Sequence, residues 1–86
     1  MADTVLVIHE RDNVAVALRD LAAGEEARLR GKPLATALEP IPASHKVALH
    51  DMAQGESVIK YGETVGVTTE PIRKGAWVHT HNLRGG

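Results

Sequence analysis

The chain has 86 residues, a formal net charge of −1 and no cysteine, with 43% hydrophobic and 24% charged residues. This composition indicates one ordinary globular domain over residues 1–86 and excludes the strongly basic surface of a nucleic-acid-binding protein. Without cysteine there are no disulfides, thiolate metal ligands or thiol nucleophiles, so any metal must be held by His, Asp, Glu, Asn or water.

The sequence shows no sign of membrane insertion or export. No apolar run approaches the roughly 20 residues of a membrane span. The first residues, Met1–Asp3, carry an acid where a signal peptide would be positively charged, and the apolar run that follows is short. We therefore expect a cytoplasmic protein with no membrane contact.

Strands are predicted wherever β-branched and apolar residues run together or alternate. In chain order they are residues 4–9, 14–18, 26–29, 34–38, 45–50, 57–61, 64–68 and 77–83. The turn at 30–33, with its Gly and Pro, predicts a hairpin, and Pro40 and Pro42 exclude helix between the halves. No long segment has a helical period, so the predicted fold is mostly β, with many short strands and tight turns.

An internal repeat divides the chain. Residues 16–25 match residues 47–56 at an offset of 31, with seven of the ten positions identical, and a shorter echo occurs at 72–75. Each copy has an apolar residue followed three positions later by Gly, which predicts a core residue leading into a turn with positive φ. The repeat predicts pseudo-symmetric halves, and its recurring acids, Asp20 and Asp51, fit turn or cap roles better than catalysis.

The run 77–83 holds the only Trp and two of the five His residues. In a strand, His79 and His81 would stand on one face about 6.8 Å apart, where two imidazoles can share a metal ion or grip an anion. A bare His-x-His pair has no third ligand, so two surface histidines at a strand end are the alternative.

Several motifs together resemble the SAF-domain module of the altronate/galactarate dehydratase family. They are residues 12–18, the repeated Asp-(Leu/Met)-Ala-x-Gly-Glu, residues 45–49, residues 58–62 and residues 78–82. The resemblance covers almost the whole chain and implies a small SAF-type β-clip, in which two hairpin-like pieces clip together. One departure is Ser44, where the family commonly has Gly.

The resemblance also implies chemistry. Family members remove water from sugar acids such as altronate, with a divalent metal, iron(II) or manganese(II). The SAF module and the large catalytic domain form one chain in some members and two subunits in others. A chain of this length is expected to be the small subunit, inactive alone, with the large catalytic subunit and a sugar-acid substrate as partners.

Candidate site residues follow from what this reaction needs: a Lewis acid, a base for the α-proton and an acid for the leaving hydroxyl. Grouped by expected role, they are His79 and His81 as metal ligands, His45 and Lys46 as catalytic residues, and Asp12, Asn13, Lys60, Tyr61 and Asn82 as substrate-binding residues. Each has a structural alternative: an Asx-type turn for Asp12 and Asn13, turn hydrogen bonding for His45, and a subunit contact for Lys60 and Tyr61. His9 is expected to fix a turn, His50 to face solvent and Trp77 to pack in the core or an interface.

Three functions remain open from the resemblance and the residues together. The first is the small subunit of a metal-dependent hydro-lyase, with the small subunit of a sulfolactate sulfo-lyase as a variant of it. The second is a SAF module that binds a sugar acid or a protein without a catalytic role. The third is a free-standing metal-binding protein.

Overall fold

Short antiparallel strands joined by tight turns make up the part of the chain that the computed structural model describes, residues 3–85. The nine strands are β1 (Val5–Leu6), β2 (Val14–Ala17), β3 (Glu26–Leu29), β4 (Lys32–Thr36), β5 (Lys46–Ala48), β6 (Ser57–Lys60), β7 (Glu63–Thr68), β8 (Trp77–Val78) and β9 (Leu83–Arg84). No residue in 3–85 is helical, which confirms the predicted mostly β fold. That range therefore contains no helix that could cross a membrane.

The strands form one central sheet and two flanking hairpins. The central sheet has the antiparallel order β1-β2-β5-β8, and the hairpins are β3-β4 and β6-β7, the second of which gains β9 at its edge. In the central sheet Val47 of β5 lies opposite Trp77 of β8. This register brings the end of the chain beside the segment that begins with His45.

The sequence repeat is a structural repeat. Leu21 pairs with Ile41 in one half and Met52 pairs with Ile72 in the other, each 31 residues on from its counterpart. All four side chains are at most 3% exposed, so the apolar residue before each Gly turn is in the core, as predicted. The two hairpins share the same register and the same bulge, between Ala27/Arg28 in one and Val58/Ile59 in the other.

The recurring acids, Asp20 and Asp51, form equivalent hydrogen bonds in the two halves. Asp20 Oδ1 accepts the N–H of Ala43, and Asp51 Oδ1 accepts the N–H of Lys74, both at 2.8 Å. These bonds confirm their predicted turn roles. The echo at 72–75 has a different place in the repeat, because Ile72 corresponds to Ile41 and not to Leu21.

Aliphatic side chains form the core, in two clusters. The larger lies between the central sheet and hairpin β3-β4, and its fully buried members include Val5, Leu21, Ile41 and Val47. The smaller contains Val14, Met52, Val58, Ile72 and Val78. Burial of this set is the main stabilising contribution in a chain with no phenylalanine.

The predicted strand at 77–83 is wrong. Strand β8 ends at Val78, residues 79–82 form a turn, and β9 joins a different sheet by pairing with β7. His79 and His81 therefore do not alternate along one strand face. The physical reason is Asn82, whose side chain bonds to the backbone and offers it an alternative to the strand ladder.

The predicted strand at 4–9 is too long for the same reason. Only Val5–Leu6 is a strand, and Ile8 is 60% exposed. The carboxylate of Asp12 accepts the N–H groups of Ile8 and His9 and turns the chain there. The other predicted strands match β2 to β7, with ends that differ by at most two residues.

Candidate functional site

The turn that carries His79 and His81 is built by one asparagine. Asn82 Oδ1 accepts the N–H of His79 at 2.9 Å, and Asn82 Nδ2 donates to the carbonyl of Trp77 at 2.8 Å. The N–H of Asn82 donates in turn to the carbonyl of His79 at 3.1 Å. Asn82 is 4% exposed, so these bonds are shielded from water and hold the turn in one shape.

A second turn of the same design lies near the start of the described chain. Asp12 donates its N–H to the carbonyl of His9 at 3.0 Å and accepts the N–H of His9 at 3.2 Å. Both turns read His-x-x-(Asp/Asn), at residues 9–12 and 79–82. That pattern is visible in the sequence and would have predicted the turn in place of a strand.

Three imidazoles surround Trp77, and we call these four residues the Trp77 cluster. The indole is stacked on His79, with ring centroids 5.5 Å apart and planes 7° from parallel. His45 and His81 lie against it at tilted angles, with centroids at 5.5 and 5.1 Å. His45 also contacts His79, at 4.5 Å between centroids. The sequence predicted the histidines but not that Trp77 would join them.

Trp77 makes a directional bond within this cluster. Its Nε1–H donates to His45 Nδ1 at 3.0 Å. Its backbone N–H donates to Glu39 Oε2 at 3.1 Å, which fixes the strand that carries the indole. The backbone of His45 is also fixed by hydrogen bonds. Its carbonyl accepts the N–H of Ala17, and its N–H donates to the carbonyl of Pro42.

Beside the cluster lies a groove of about 330 Å³, which we call the lysine groove. Its lining residues are Lys46, Lys60, Val65, His79, Thr80, Leu83 and Gly85. Two ammonium groups and an imidazole thus face one concave surface, and no carboxylate of the described residues lines it. Neither lysine forms a salt bridge within residues 3–85.

The surroundings of the groove lower the pKa of two of its lining residues, Lys46 and His79. Burial, followed by repulsion from the Lys60 ammonium, lowers the pKa of Lys46. The pKa of His79 is lowered first by desolvation and then by electrostatic repulsion from the neighbouring basic groups of His45, Lys46 and His81. An anion in the groove would oppose the lowering of both pKa values, since it would interact favourably with charge that has no acidic partner among residues 3–85.

The side chain of Lys60 contacts the ring of Tyr61 at the tip of hairpin β6-β7. The Lys60 ammonium lies 5.2 Å from the centroid of the Tyr61 ring, within cation–π range. Tyr61 has φ of 56° and is followed by Gly62 with φ of 79°, so the tip is a left-handed two-residue turn. The tyrosine is 43% exposed, and it is available for contact beyond the chain.

The polar side-chain atoms of Asp12 and Asn13 form hydrogen bonds with backbone groups. Asp12 Oδ1 accepts the N–H of Gly62 at 2.8 Å, which ties the first turn to the tip of hairpin β6-β7. Burial alone would raise the pKa of Asp12, but backbone N–H donors, Gly62 foremost, outweigh it and lower that pKa. Asn13 bonds the N–H of Ile59 and the carbonyl of Ser57 across the bulge.

Thr4 performs the same task in the other half of the molecule. Its Oγ1 accepts the N–H of Arg28 and donates to the carbonyl of Glu26, the two positions that lie 31 residues before the partners of Asn13. The structure therefore separates Asp12 and Asn13 from the Trp77 cluster in role. Their predicted part in substrate binding stays a prediction, as do the predicted catalytic and ligand roles of the other site residues.

The described residues do not form a complete metal centre. No three His, Asp or Glu side chains within residues 3–85 converge on one point that could hold a metal ion. His79 and His81 offer two imidazoles, and Nδ1 of His45 is already bonded to Trp77. Two imidazoles are too few for a tight site, so iron or manganese would need ligands from elsewhere.

Comparison with known proteins bears on this geometry. A search of curated proteins found no match. The family model described as the altronate/galactarate dehydratase SAF domain matches residues 3–86, essentially the whole chain. This match agrees with the short antiparallel strands, the glycine turns and the paired halves described above, and the chain belongs to the altronate/galactarate dehydratase SAF domain family.

Proposed function

We propose that this chain is the small subunit of a cytoplasmic sugar-acid hydro-lyase and completes the active site of a separate large catalytic subunit. The observation that carries this proposal is the lysine groove, where Lys46 and Lys60 have no acidic partner among residues 3–85 and adjoin three clustered imidazoles. A hydroxylated acid offers a carboxylate for the ammonium groups and hydroxyls for Thr80 and the imidazoles.

The reaction class explains why such a groove is useful. Removing a proton α to a carboxylate places negative charge on that carboxylate in the transition state. Ammonium groups in a partly desolvated groove stabilise this charge more than water does. No acidic side chain of the described residues lines the groove, so we infer that further acid–base groups come from the large subunit.

The role of a divalent metal is likewise part of the proposal. Iron(II) or manganese(II), if bound, would polarise the substrate carboxylate and hydroxyl as a Lewis acid. The imidazoles of His79 and His81 are the groups this chain would offer. We propose that any such site is shared, because the two imidazoles have no third partner within residues 3–85.

The proposal is tested first by binding. The isolated chain is titrated with galactarate and with galactitol, the uncharged polyol of equal carbon number, while backbone amide NMR shifts are followed. We expect galactarate alone to shift groove residues such as Thr80 and Leu83. The double variant Lys46→Met/Lys60→Met should lose that response, whereas Lys32→Met, an exposed lysine outside the groove, should keep it.

The activity arm uses the chain together with the large catalytic subunit. We expect dehydration of altronate or galactarate to a keto-deoxy acid by the pair and negligible turnover by the 86-residue chain alone. Equal response to galactarate and galactitol, or strong turnover without the large subunit, would contradict the proposal.

A non-catalytic binding module is the second candidate, and the use of Asn82 and Asp12 in turn formation favours it. It predicts that His79→Ala and His81→Ala leave the turnover of the reconstituted pair unchanged. A sulfo-lyase subunit is distinguished by release of sulfite from 3-sulfolactate in place of water from a sugar acid.

A further inference from the structure

The hydrogen bond between Trp77 and His45 restricts what His45 can do. Neutral imidazole has one protonated and one unprotonated ring nitrogen, and an indole N–H can only donate. Because Trp77 Nε1–H donates to His45 Nδ1 at 3.0 Å, that nitrogen is the acceptor and the ring proton lies on Nε2. A proton on Nδ1 would face the indole N–H directly.

The surroundings hold both rings in this arrangement. The backbone N–H of Trp77 is bonded to Glu39, and Val47 lies opposite Trp77 in the central sheet, two residues beyond His45. Stacking of the His79 ring against the indole limits rotation of the indole. The bond is thus built into the sheet register and does not depend on a flexible loop.

We propose that Trp77 is a positioning residue that keeps His45 in the Nε2–H tautomer. His45, whose ring contacts the groove residue His79, then serves a sugar acid bound beside it as a hydrogen-bond donor and not as a metal ligand or a base. Ligation or proton abstraction through Nε2 would need its lone pair, and the Nε2–H tautomer has none free there. The first part concerns the chain alone, and the second rests on the proposed function.

A neutral imidazole is a useful donor for this chemistry. Negative charge develops on the substrate carboxylate as the α-proton leaves, and a fixed N–H stabilises it without transferring a proton. This role differs from the proton transfer expected of His45 from the sequence. It also explains the place of the only tryptophan of the chain within a group of histidines.

The tautomer is measured by long-range 1H–15N NMR on the 15N-labelled 86-residue chain at a pH where imidazole is neutral. We expect a pyrrole-type shift for His45 Nε2, a pyridine-type shift for Nδ1, and a coupling across the hydrogen bond from Trp77 Nε1. The single tryptophan makes the indole resonance unambiguous. A protonated Nδ1 in the wild-type chain would overturn the proposal without any variant.

Trp77→Phe keeps an aromatic ring and removes the N–H donor, together with part of the indole's packing volume. We expect its His45 to become a mixture of tautomers, whereas His50→Gln, an exposed histidine outside the cluster, should leave His45 unchanged. In the complex with the large subunit, kcat of Trp77→Phe should fall by the same few-fold factor as the fraction of the Nε2–H tautomer measured by NMR, with little change in KM.

The two parts fail separately. An unchanged tautomer in folded Trp77→Phe contradicts the positioning role itself. A lost tautomer with unchanged kcat supports the positioning role but overturns the donor role, and with it the participation of His45 in the proposed function.

Discussion

Asn82 and Trp77 are joined by a buried hydrogen bond of 2.8 Å from the asparagine amide to the tryptophan carbonyl. The same side chain accepts the N–H of His79, so one residue connects the strand that carries the indole with the turn that carries the imidazoles. Asn82→Ala leaves buried backbone groups unpaired, and we expect it to lower the free energy of unfolding by about 1–3 kcal/mol.

Urea unfolding measures this loss. Asn82→Asp should recover only part of it, because aspartate accepts from His79 but cannot donate to Trp77. The control is Gln54→Ala, an exposed position with no such bonds, where we expect less than about 0.5 kcal/mol. Equal stability of Asn82→Ala and the control would contradict the role assigned to this side chain.

Asp12 predicts sensitivity to acid. Its pKa in the folded chain is lowered, because the backbone N–H groups of Gly62, His9 and neighbours outweigh the opposing effect of burial. A carboxyl with a depressed folded pKa contributes stability that is fully present above its unfolded pKa of about 3.9 and is lost as pH falls through the folded value. Unfolding free energy should therefore fall with acid below about pH 4.

Asp12→Asn isolates this contribution. At neutral pH we expect it to be less stable than the wild type by about 1–3 kcal/mol, since an amide is a weaker acceptor and brings an unpaired donor. The difference should shrink as the pH is lowered. A gap that stays constant down to pH 2, or a matching loss in the exposed control Glu70→Gln, would be evidence against it.

Protonation of His79 should be visible in the fluorescence of Trp77 as the pH is lowered. Its pKa is lowered by desolvation and by nearby positive charge, so the neutral ring persists below the usual value of about 6.5. Stability linked to this group is present above the unfolded pKa and is lost as pH falls through the folded one. Because imidazolium quenches a stacked indole, emission of Trp77 should drop with a component whose midpoint lies below about 6.5.

In His79→Gln that component should disappear, whereas His50→Gln should leave the titration curve unchanged. The measurement is steady-state emission against pH in low salt. If the curves of wild type and His79→Gln coincide, His79 does not contact the indole in the way described.

Replacement of Lys46 should stabilise the fold but weaken the binding of an anion. Its ammonium is half-buried and repelled by Lys60, and no acid of the described residues pairs with it. Lys46→Met removes an unfavourable charge while keeping most of the apolar stem, so we expect a gain of about 0.5 kcal/mol in unfolding free energy. Galactarate should no longer raise the Tm of this variant, and Lys32→Met should behave as the wild type in both measurements.

Ser44 and Gly75 occupy equivalent places in the two halves, and both have positive φ, of 72° and 93°. Serine has a side-chain penalty in this region, so Ser44→Gly should stabilise the chain by about 0.5–1 kcal/mol. A Cβ on Gly75 would lie 2.0 Å from the carbonyl oxygen of Thr36, so Gly75→Ala should destabilise it by more than that amount. Thermal unfolding of the two variants should shift in opposite directions, and shifts of the same sign would contradict the assigned backbone geometry.

Much of this fold could be predicted because its information is local. Alternating apolar residues located β2 to β7, and the repeat at offset 31 correctly indicated two halves with equivalent turns. Gly24 and Gly55 have positive φ, as the repeat required. Hydrophobic alternation and glycine turns depend on neighbours a few residues away, and they can be read without knowing the partner strands.

The site was less predictable because it depends on distant pairs. Trp77 and His45 are 32 residues apart, and only the β5-β8 register brings the indole to the imidazole. The side chains of Asn82 and Asp12 accept backbone N–H groups of His79 and His9, in segments whose composition predicts strands. A side chain that competes with a ladder leaves no mark in hydrophobic periodicity, although the shared His-x-x-(Asp/Asn) pattern would have revealed it.

The two hairpins have a consequence for the order of assembly. Each closes through two residues, Arg30–Gly31 and Tyr61–Gly62, so each forms from contacts close in sequence. In the central sheet, the β2-β5 and β5-β8 pairs join residues about thirty positions apart, so their formation costs a larger loop-closure entropy. We therefore expect the hairpins to form in the fast phase of refolding and the β5-β8 pairing in the rate-limiting one. His45 would then reach Trp77 only when the β5-β8 pairing is complete, so a partly folded chain would lack the hydrogen bond between them.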